Sequence, residues 1–221
     1  GFFYFMYGRI CAASASQKIT REYLMKLHYK GTYDLNPDSL PHEEHPPGAV
    51  PFKEAEDSKT LAKIAGIASI VLLVVFCAVL YLRCGRGLFS MQATLGCLLS
   101  LAAVFPHELL HAVCFKKDVY LYTNLKQGLL FVVGPETMSK ARFIFMSLLP
   151  NIVFGFLPFA AAMINPSFVF LGVCGALSIS MGAGDFYNVF NAMTQMPKGA
   201  RTYLYKFNSF WYMPSQDGTT R

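Results

Sequence analysis

The sequence predicts an all-α polytopic membrane protein with about four transmembrane helices and a short β-hairpin between the second and third. Hydrophobic residues make up 54% of the 221 residues and charged residues only 14%, whereas charged residues are about a quarter of a typical soluble domain. The hydrophobic residues also gather into four runs, each long enough to cross a bilayer as a helix. The net charge of +6 comes from basic residues that flank these runs, which indicates anionic lipid headgroups and no nucleic-acid partner.

The chain divides into four parts by composition. Residues 1–24 are interpreted as a doubtful N-terminal extension, because their aromatic cluster is too short for a span and Met25 opens a more ordinary segment. Residues 25–60 are polar and rich in proline, which predicts an extended cytoplasmic arm. Residues 61–196 hold the apolar runs and form the predicted membrane domain. Residues 197–221 are a polar and aromatic C-terminal tail, expected to lie against the membrane surface.

The four apolar runs set the predicted helices, and the hairpin lies between two of them. The runs extend from about Leu61 or Ile64 to Leu82, from about Leu88 to Phe115, from about Phe143 to Ile164 and from about Phe168 to Met193. Residues 119–133 hold two short stretches rich in β-forming residues around a glycine-containing turn, which predicts the hairpin. The six cysteines are scattered and form no C-x-x-C motif, so neither a disulfide framework nor a cysteine-bound metal is indicated.

The distribution of lysine and arginine predicts the orientation in the membrane. The arm, the loop that contains the hairpin and the tail carry most of the basic residues near the spans, whereas the opposite side has only Arg83 and Arg86. Cytoplasmic loops carry an excess of Lys and Arg. The N-terminus, the C-terminus and the hairpin loop are therefore all predicted to be cytoplasmic, in a multi-pass protein of the cell membrane.

The second apolar run contains an H-E-x-x-H motif near its far end. Residues four apart lie on one face of a helix, so His107 and His111 can present two imidazoles to one metal ion. Glu108 then lies at the rim of the site, where it can take a proton from a water molecule without being a ligand. The alternative is a chance match on an ordinary helix. The apolar surroundings favour the metal interpretation, because polar residues within a membrane segment are costly and usually functional.

Asp185 is the candidate for a third metal ligand. Catalytic zinc usually has three protein ligands and one open position, and Asp185 is the only other acidic residue within an apolar run. The second and fourth spans run in the same direction, and His107 and Asp185 lie about 19 and about 17 residues along them, which places both at a similar depth. The alternative is that Asp185 forms a hydrogen bond near a helix end or faces cytoplasmic water.

Asn151 directly follows Pro150 in the third run, and two interpretations of it stay open. Pro150 frees a carbonyl one turn earlier, and the Asn151 amide could simply satisfy the backbone there. Alternatively, the amide donates to an oxyanion or positions a peptide substrate, which makes Asn151 a candidate catalytic residue. His42 and His45 form H-E-E-H in the proline-rich arm and are interpreted as solvated side chains rather than as a second metal site.

With these residues assembled, the chain resembles the zincin peptidase family of bacterial membrane proteins, which is similar to site-2 proteases. The resemblance covers roughly Met25 to the C-terminus, and the His-Glu motif is its most specific part. The matching features are Pro106–His111, the hairpin-like Val119–Val133, Pro150, Gly184-Asp185 and Met196–Ala200. The resemblance implies His107, His111 and Asp185 as zinc ligands and Glu108 as the catalytic base, in a metalloprotease-like domain over residues 61–196.

The function expected from this resemblance is zinc-dependent hydrolysis of a membrane protein or peptide, within or beside the membrane. The first alternative is a non-catalytic membrane scaffold or regulator with a structural metal, which predicts a closed four-ligand site and no turnover. The second is a small transporter that uses the His and Asp cluster as a relay. A transporter needs polar residues that continue across the bilayer, and the first three spans have few beyond the motif.

Overall fold

The computed structural model describes residues 25–55, 58–206 and 208–215. Within them, helices are combined with seven strands in two sheets, so the prediction of an all-α fold is wrong and the architecture is mixed α/β. The predicted hairpin is present as one part of one sheet. Three of the other strands pair only with segments that are distant in the sequence, so local patterns did not predict them, and the two C-terminal strands pair with each other. The predicted N-terminal extension, residues 1–24, lies outside the described residues.

Among the described residues, three helices are long and apolar enough to cross a membrane, and a bent pair of helices makes a possible fourth. The sharpest departure from the predicted runs is in the fourth, where the chain bends by 53° at Gly182 rather than continuing as one straight span. The α-helices are α1 (Ser58–Cys84), α2 (Met91–Ala112), α3 (Lys140–Pro150), α4 (Leu157–Ile164), α5 (Val169–Met181) and α6 (Ala183–Gln195). A π-helical turn (Asn151–Phe156) joins α3 to α4, and α5 and α6 are the bent pair.

Helix α5 lies at the centre of the helical layer and packs against α1, α2 and α4. Its contact with α1 and α4 is wholly apolar and is built around the buried side chains of Leu80, Phe159 and Ile179. Gly172 allows this close approach, because a Cβ atom there would meet the Leu80 Cδ1 atom at 2.5 Å and the Ala162 Cβ atom at 2.8 Å. The outward face of α1 leaves large aliphatic side chains exposed, as a bilayer-facing helix does.

The first sheet has the strand order β1-β3-β4, with β1 at Leu27–Thr32, β3 at Val119–Asn124 and β4 at Leu129–Val133. Strand β1 is parallel to β3, and β4 is antiparallel to it. One face of the sheet packs Val119 and Val132 against the end of α2. The arm covers the other face with Tyr33 and Leu40. The predicted hairpin is therefore held between the arm and the helices.

The second sheet joins three distant parts of the chain. Its order is β2-β7-β6-β5, with β2 at Val50–Pro51, β5 at Met138–Ser139, β6 at Arg201–Tyr205 and β7 at Asn208–Tyr212. Its two outer strands are only two residues long, and β2 contains a proline, which limits further strand pairing. The arm thus pairs with the tail, and β5 leads directly into α3. This connection helps to fix the start of α3, which packs beside α2.

Candidate metal centre

Two imidazoles and a carboxylate lie together near the C-terminal end of α2. Donor atoms of His107, Glu108 and His111 lie within 4.8 Å of one another. His107 and His111 are four residues apart, so the helix itself brings them to one face. Their side chains are 16% and 11% exposed, which withdraws both rings from bulk solvent. The local geometry of α2 therefore supplies the first two donors of a metal site.

Asp185 completes the cluster from a second element. It lies in the first turn of α6, just after the bend at Gly182. Its Oδ2 atom is 3.1 Å from the Nε2 atom of His107, and its Oδ1 atom is 3.2 Å from the Nε2 atom of His111. Neighbouring donor atoms around a tetrahedral zinc ion with bonds of about 2.0–2.1 Å are about 3.3 Å apart. Both distances between Asp185 and the imidazoles are close to that value, and imidazole and carboxylate are groups that bind zinc.

The orientation of His111 is set by a backbone group of α3. Its Nδ1 atom is 3.0 Å from the carbonyl oxygen of Met146. A carbonyl oxygen can only accept, so Nδ1 carries the hydrogen, and the lone pair of the neutral ring is on Nε2, the atom that faces Asp185. Such a bond from the second ring nitrogen is the usual support of a metal-binding histidine.

Glu108 contacts the hairpin. Its Oε2 atom accepts a hydrogen bond from the backbone N–H of Val132, at 3.1 Å. The backbone groups of Val119 and Thr123 form hydrogen bonds on the side of β3 that faces β1. Because backbone groups alternate in direction along a strand, the residues between them form their hydrogen bonds with β4. By the pairing register, the backbone groups of Leu130 and Val132 then lie on the outer edge of β4. Glu108 thus lies beside a sheet edge that pairs with no other strand in the described part of the chain.

Asn151 lies behind Asp185 and is fully buried. Its Nδ2 atom donates to Asp185 Oδ2 at 2.7 Å and to the carbonyl oxygen of Ser147 at 3.1 Å, so both amide hydrogens are engaged. Gly182 makes room for this amide, because a Cβ atom at that position would overlap the Asn151 side chain. The polar contact between the third span and the bent pair therefore depends on the absence of a side chain at residue 182.

The structure brings the five predicted site residues close together. His107, Glu108 and His111 come from α2, Asp185 from α6 and Asn151 from the start of the π-helical turn. The arm histidines lie elsewhere. The Nδ1 atom of His45 is 2.7 Å from the Tyr203 hydroxyl oxygen in the second sheet, and the Nδ1 atom of His42 is 2.8 Å from the carbonyl oxygen of Leu40.

The sequence analysis missed the groups that support the cluster. The carbonyl of Met146 and the N–H of Val132 are backbone atoms, which every residue has, so no residue type marks them. Gly182 belonged to a run of small residues that signals close helix contact, but its partner Asn151 is 31 positions away in the sequence.

Residues 100–201 match the family model described as "Putative zincin peptidase". The matched range contains the whole donor cluster and the β3–β4 hairpin, and it leaves out the arm and α1. It is a little under half of the chain. This part of the protein is therefore similar to a family of zinc peptidases, and a zinc-dependent peptidase is the reaction class that the match supports. The chain matches no curated protein and no solved structure.

Proposed function

We propose that this protein is a site-2-protease-like zinc peptidase, which hydrolyses peptide bonds within or beside a membrane. The observation that carries the proposal is the Asp185 carboxylate, whose two oxygens reach the imidazoles of His107 and His111 from a separate helix. The match of residues 100–201 to a zincin peptidase family supports the reaction class. The three long apolar helices support the membrane setting.

His107, His111 and Asp185 would hold the zinc ion, which supplies Lewis-acid activation of a water molecule and of the scissile carbonyl. Glu108 is the general base. Its carboxylate takes a proton from the attacking water as the oxygen–carbon bond forms, and passes the proton to the amine nitrogen as the carbon–nitrogen bond breaks. We assign Asn151 to holding Asp185 rather than to an oxyanion, because both hydrogens of its amide are already engaged.

The outer edge of β4 is the proposed binding place for the substrate backbone. A membrane helix hides its carbonyl groups in internal hydrogen bonds and must unwind before it can be cleaved. An unwound segment can add to a free sheet edge as a further strand. At β4 such a strand would pass directly beside Glu108, which contacts the edge at Val132. The proposed substrate is therefore a membrane protein or peptide, and we propose that both ends of this chain are cytoplasmic, as the basic residues predict.

The experiment is metal analysis and peptide cleavage with the full-length protein purified in detergent. About one zinc ion per chain is expected in the wild type and in Glu108→Gln, and much less in His107→Ala and Asp185→Ala. A fluorogenic peptide with a transmembrane segment should be cleaved by the wild type, and Glu108→Gln should cleave it about 10²–10⁴-fold more slowly. Full zinc binding by Asp185→Ala, or full turnover by Glu108→Gln, would contradict the proposal.

The same experiment separates the peptidase from a membrane scaffold with a structural metal. A scaffold would bind zinc, would lose thermal stability on chelation, and would leave the peptide intact in every variant. A peptidase cleaves the peptide, and it loses turnover in Glu108→Gln while it keeps its metal.

A further inference from the structure

A buried ion pair lies just outside the metal centre and takes no part in the proposed chemistry. Glu136, in the segment between β4 and β5, is only 7% exposed. Its Oε2 atom accepts the backbone N–H groups of Lys116 at 2.6 Å and Lys117 at 2.9 Å. Its Oε1 atom accepts a bond from Nη1 of Arg142 at 2.5 Å. The carboxylate thus joins the chain that follows α2 to the first turn of α3.

The other side of the Arg142 guanidinium holds the C-terminal end of α2 directly. Its Nε and Nη2 atoms both donate to the carbonyl oxygen of Cys114, at 2.9 and 2.5 Å. The N–H of Cys114 in turn donates to the carbonyl oxygen of His111, at 3.1 Å. The Arg142 side chain therefore connects Glu136 to the turn that directly follows the helix with the His-Glu motif.

Helix α3 touches His111 at a second point on the same face. Arg142 and Met146 are four residues apart, so they lie one turn from each other on α3. Met146 holds the imidazole ring through its carbonyl oxygen, and Arg142 holds the backbone that follows the ring. The position of His111 relative to α3 is thus set both at its side chain and at its main chain.

Stability alone does not account for this pair. Withdrawing a charge from water costs several kcal/mol, and the Glu136 side chain is only 6% exposed, whereas that of Arg142 is 23% exposed. A well-packed apolar group often serves stability as well or better. A guanidinium does provide fixed directions, because its planar fork binds two groups at set angles. A metal site requires ligand atoms held within about 0.5 Å, so fixed directions are useful next to a metal-binding histidine.

We propose that Arg142 and Glu136 form a positioning clamp, which holds the end of α2 so that His111 meets His107 and Asp185 in a geometry that binds a metal ion. The clamp rests on the proposed zinc site. It adds two residues that touch neither metal nor substrate and act through His111. Its effect should be seen first in metal affinity and ligand geometry, and only then in turnover.

The test compares Arg142→Gln, Arg142→Lys and Glu136→Gln with matched changes at Arg83. Arg83 also holds a helix end with its guanidinium, since its Nε and Nη2 atoms donate to the carbonyl oxygens of Met163 and Ile164 at the end of α4. Arg83→Gln and Arg83→Lys therefore remove the same kind of interaction far along the chain from the donor cluster. Each full-length protein is titrated with Zn²⁺ against a chelating dye and with Co²⁺, whose visible absorption reports the ligand geometry.

Arg142→Gln and Glu136→Gln should bind Zn²⁺ about 10–100-fold more weakly than the wild type, with an altered Co²⁺ spectrum. Arg142→Lys keeps the charge but loses the fork, so its loss should be smaller. Both Arg83 variants should retain the wild-type affinity and spectrum. If Arg142→Gln does not fold, Arg142→Lys and Glu136→Gln decide the matter.

Two results would overturn the clamp. One is wild-type affinity and spectrum in the folded Arg142 and Glu136 variants. The other is an equal loss in the Arg83 variants, which would mean that general destabilisation explains the effect. Absence of metal binding by the wild type would instead refute the proposed zinc site itself, so the two failures are distinguishable.

Discussion

In each of two halves of the helical layer a glycine allows a close contact between helices, but the groups in contact are apolar in one half and polar in the other. Where α5 meets α1 and α4, Gly172 allows close packing against the Leu80 side chain, within a cluster of buried apolar residues. Where the bend after α5 meets the start of the π-helical turn, Gly182 lets a buried amide, Asn151, reach Asp185. The comparison teaches that a missing side chain can serve apolar packing in one half and the positioning of a buried carboxylate in the other. Equal steric changes should therefore have unequal consequences.

The largest effect is expected from adding one methyl group to each half. Gly182→Ala would overlap the Asn151 amide and displace its bond to Asp185, which should weaken Zn²⁺ binding about 10–100-fold. Gly172→Ala would press against Leu80 and should cost about 1–3 kcal/mol of unfolding free energy with unchanged Zn²⁺ affinity. Thermal unfolding and zinc titration of both variants check this. Equal zinc affinities would remove the distinction between the halves.

A smaller effect is expected at the sheet edge that borders the polar half. Val132→Pro removes the backbone N–H group that donates a hydrogen bond to Glu108. The N–H group of Val132 faces away from β3, so a proline at this position breaks no hydrogen bond between the two strands. Turnover of the transmembrane peptide should fall about tenfold, because one hydrogen bond contributes about 1.4 kcal/mol and that free energy corresponds to a factor of ten. Leu130→Pro is the control, because its N–H also lies on the outer edge but does not contact Glu108.

The steady-state parameters separate the two proline variants. Leu130→Pro should raise KM by removing one pairing group and should leave kcat near the wild-type value. Val132→Pro should lower kcat as well, because Glu108 loses its fixed orientation. If both variants cleave the peptide as the wild type does, the substrate does not bind at the β4 edge.

The smallest effect is expected on the pH dependence of the unfolding free energy. Two carboxyl groups outside the long helices, Glu136 and Glu54, should change it in opposite directions. Burial raises the pKa of Glu136, but the hydrogen bonds from Arg142 and from the Lys117 and Lys116 N–H groups outweigh it, so folding lowers this pKa below its ordinary value of 4.5. The stability that Glu136 contributes is then present above pH 4.5 and is lost as the pH falls through the folded pKa. Glu54 differs, because burial raises its pKa more than its bonds from Ser209 and Asn208 lower it.

The sign for Glu54 is reversed. Its contribution is present below pH 4.5 and is lost as the pH rises through its folded pKa. Thermal unfolding from pH 3 to pH 7 should therefore show that Glu136→Gln removes part of the loss of stability in acid, while Glu54→Gln removes part of the loss at higher pH. The same sign for both variants would contradict the different environments of the two carboxyl groups.

Much of the helical layer could be predicted because its signals are local. Long apolar runs predicted each helix, and the glycine-containing turn between two β-forming stretches predicted the hairpin. The second sheet could not be predicted in the same way, because β2 and β5 are two residues long and exist only through pairing with distant segments. The aromatic residues of β6 and β7 were a usable strand signal, but the sequence interpretation placed them in a tail at the membrane surface.

The candidate site was predictable for a different reason. An H-E-x-x-H motif places two imidazoles on one helix face whatever the rest of the chain does. The scarcity of acidic residues in apolar runs then left Asp185 as the one carboxylate to consider. The fourth apolar run is bent at Gly182 in the structure, and Asp185 lies in the first turn after that bend.

The sequence by itself determined the apolar runs, the hairpin and the candidate donor side chains, since each is marked by residue type or short spacing. Only the tertiary structure decided which groups support those donors: the Met146 carbonyl, the edge of β4, the amide of Asn151 and the Arg142–Glu136 pair. Backbone atoms have no signature in the residue type, and a buried charge reveals its partner only when distant segments of the chain meet.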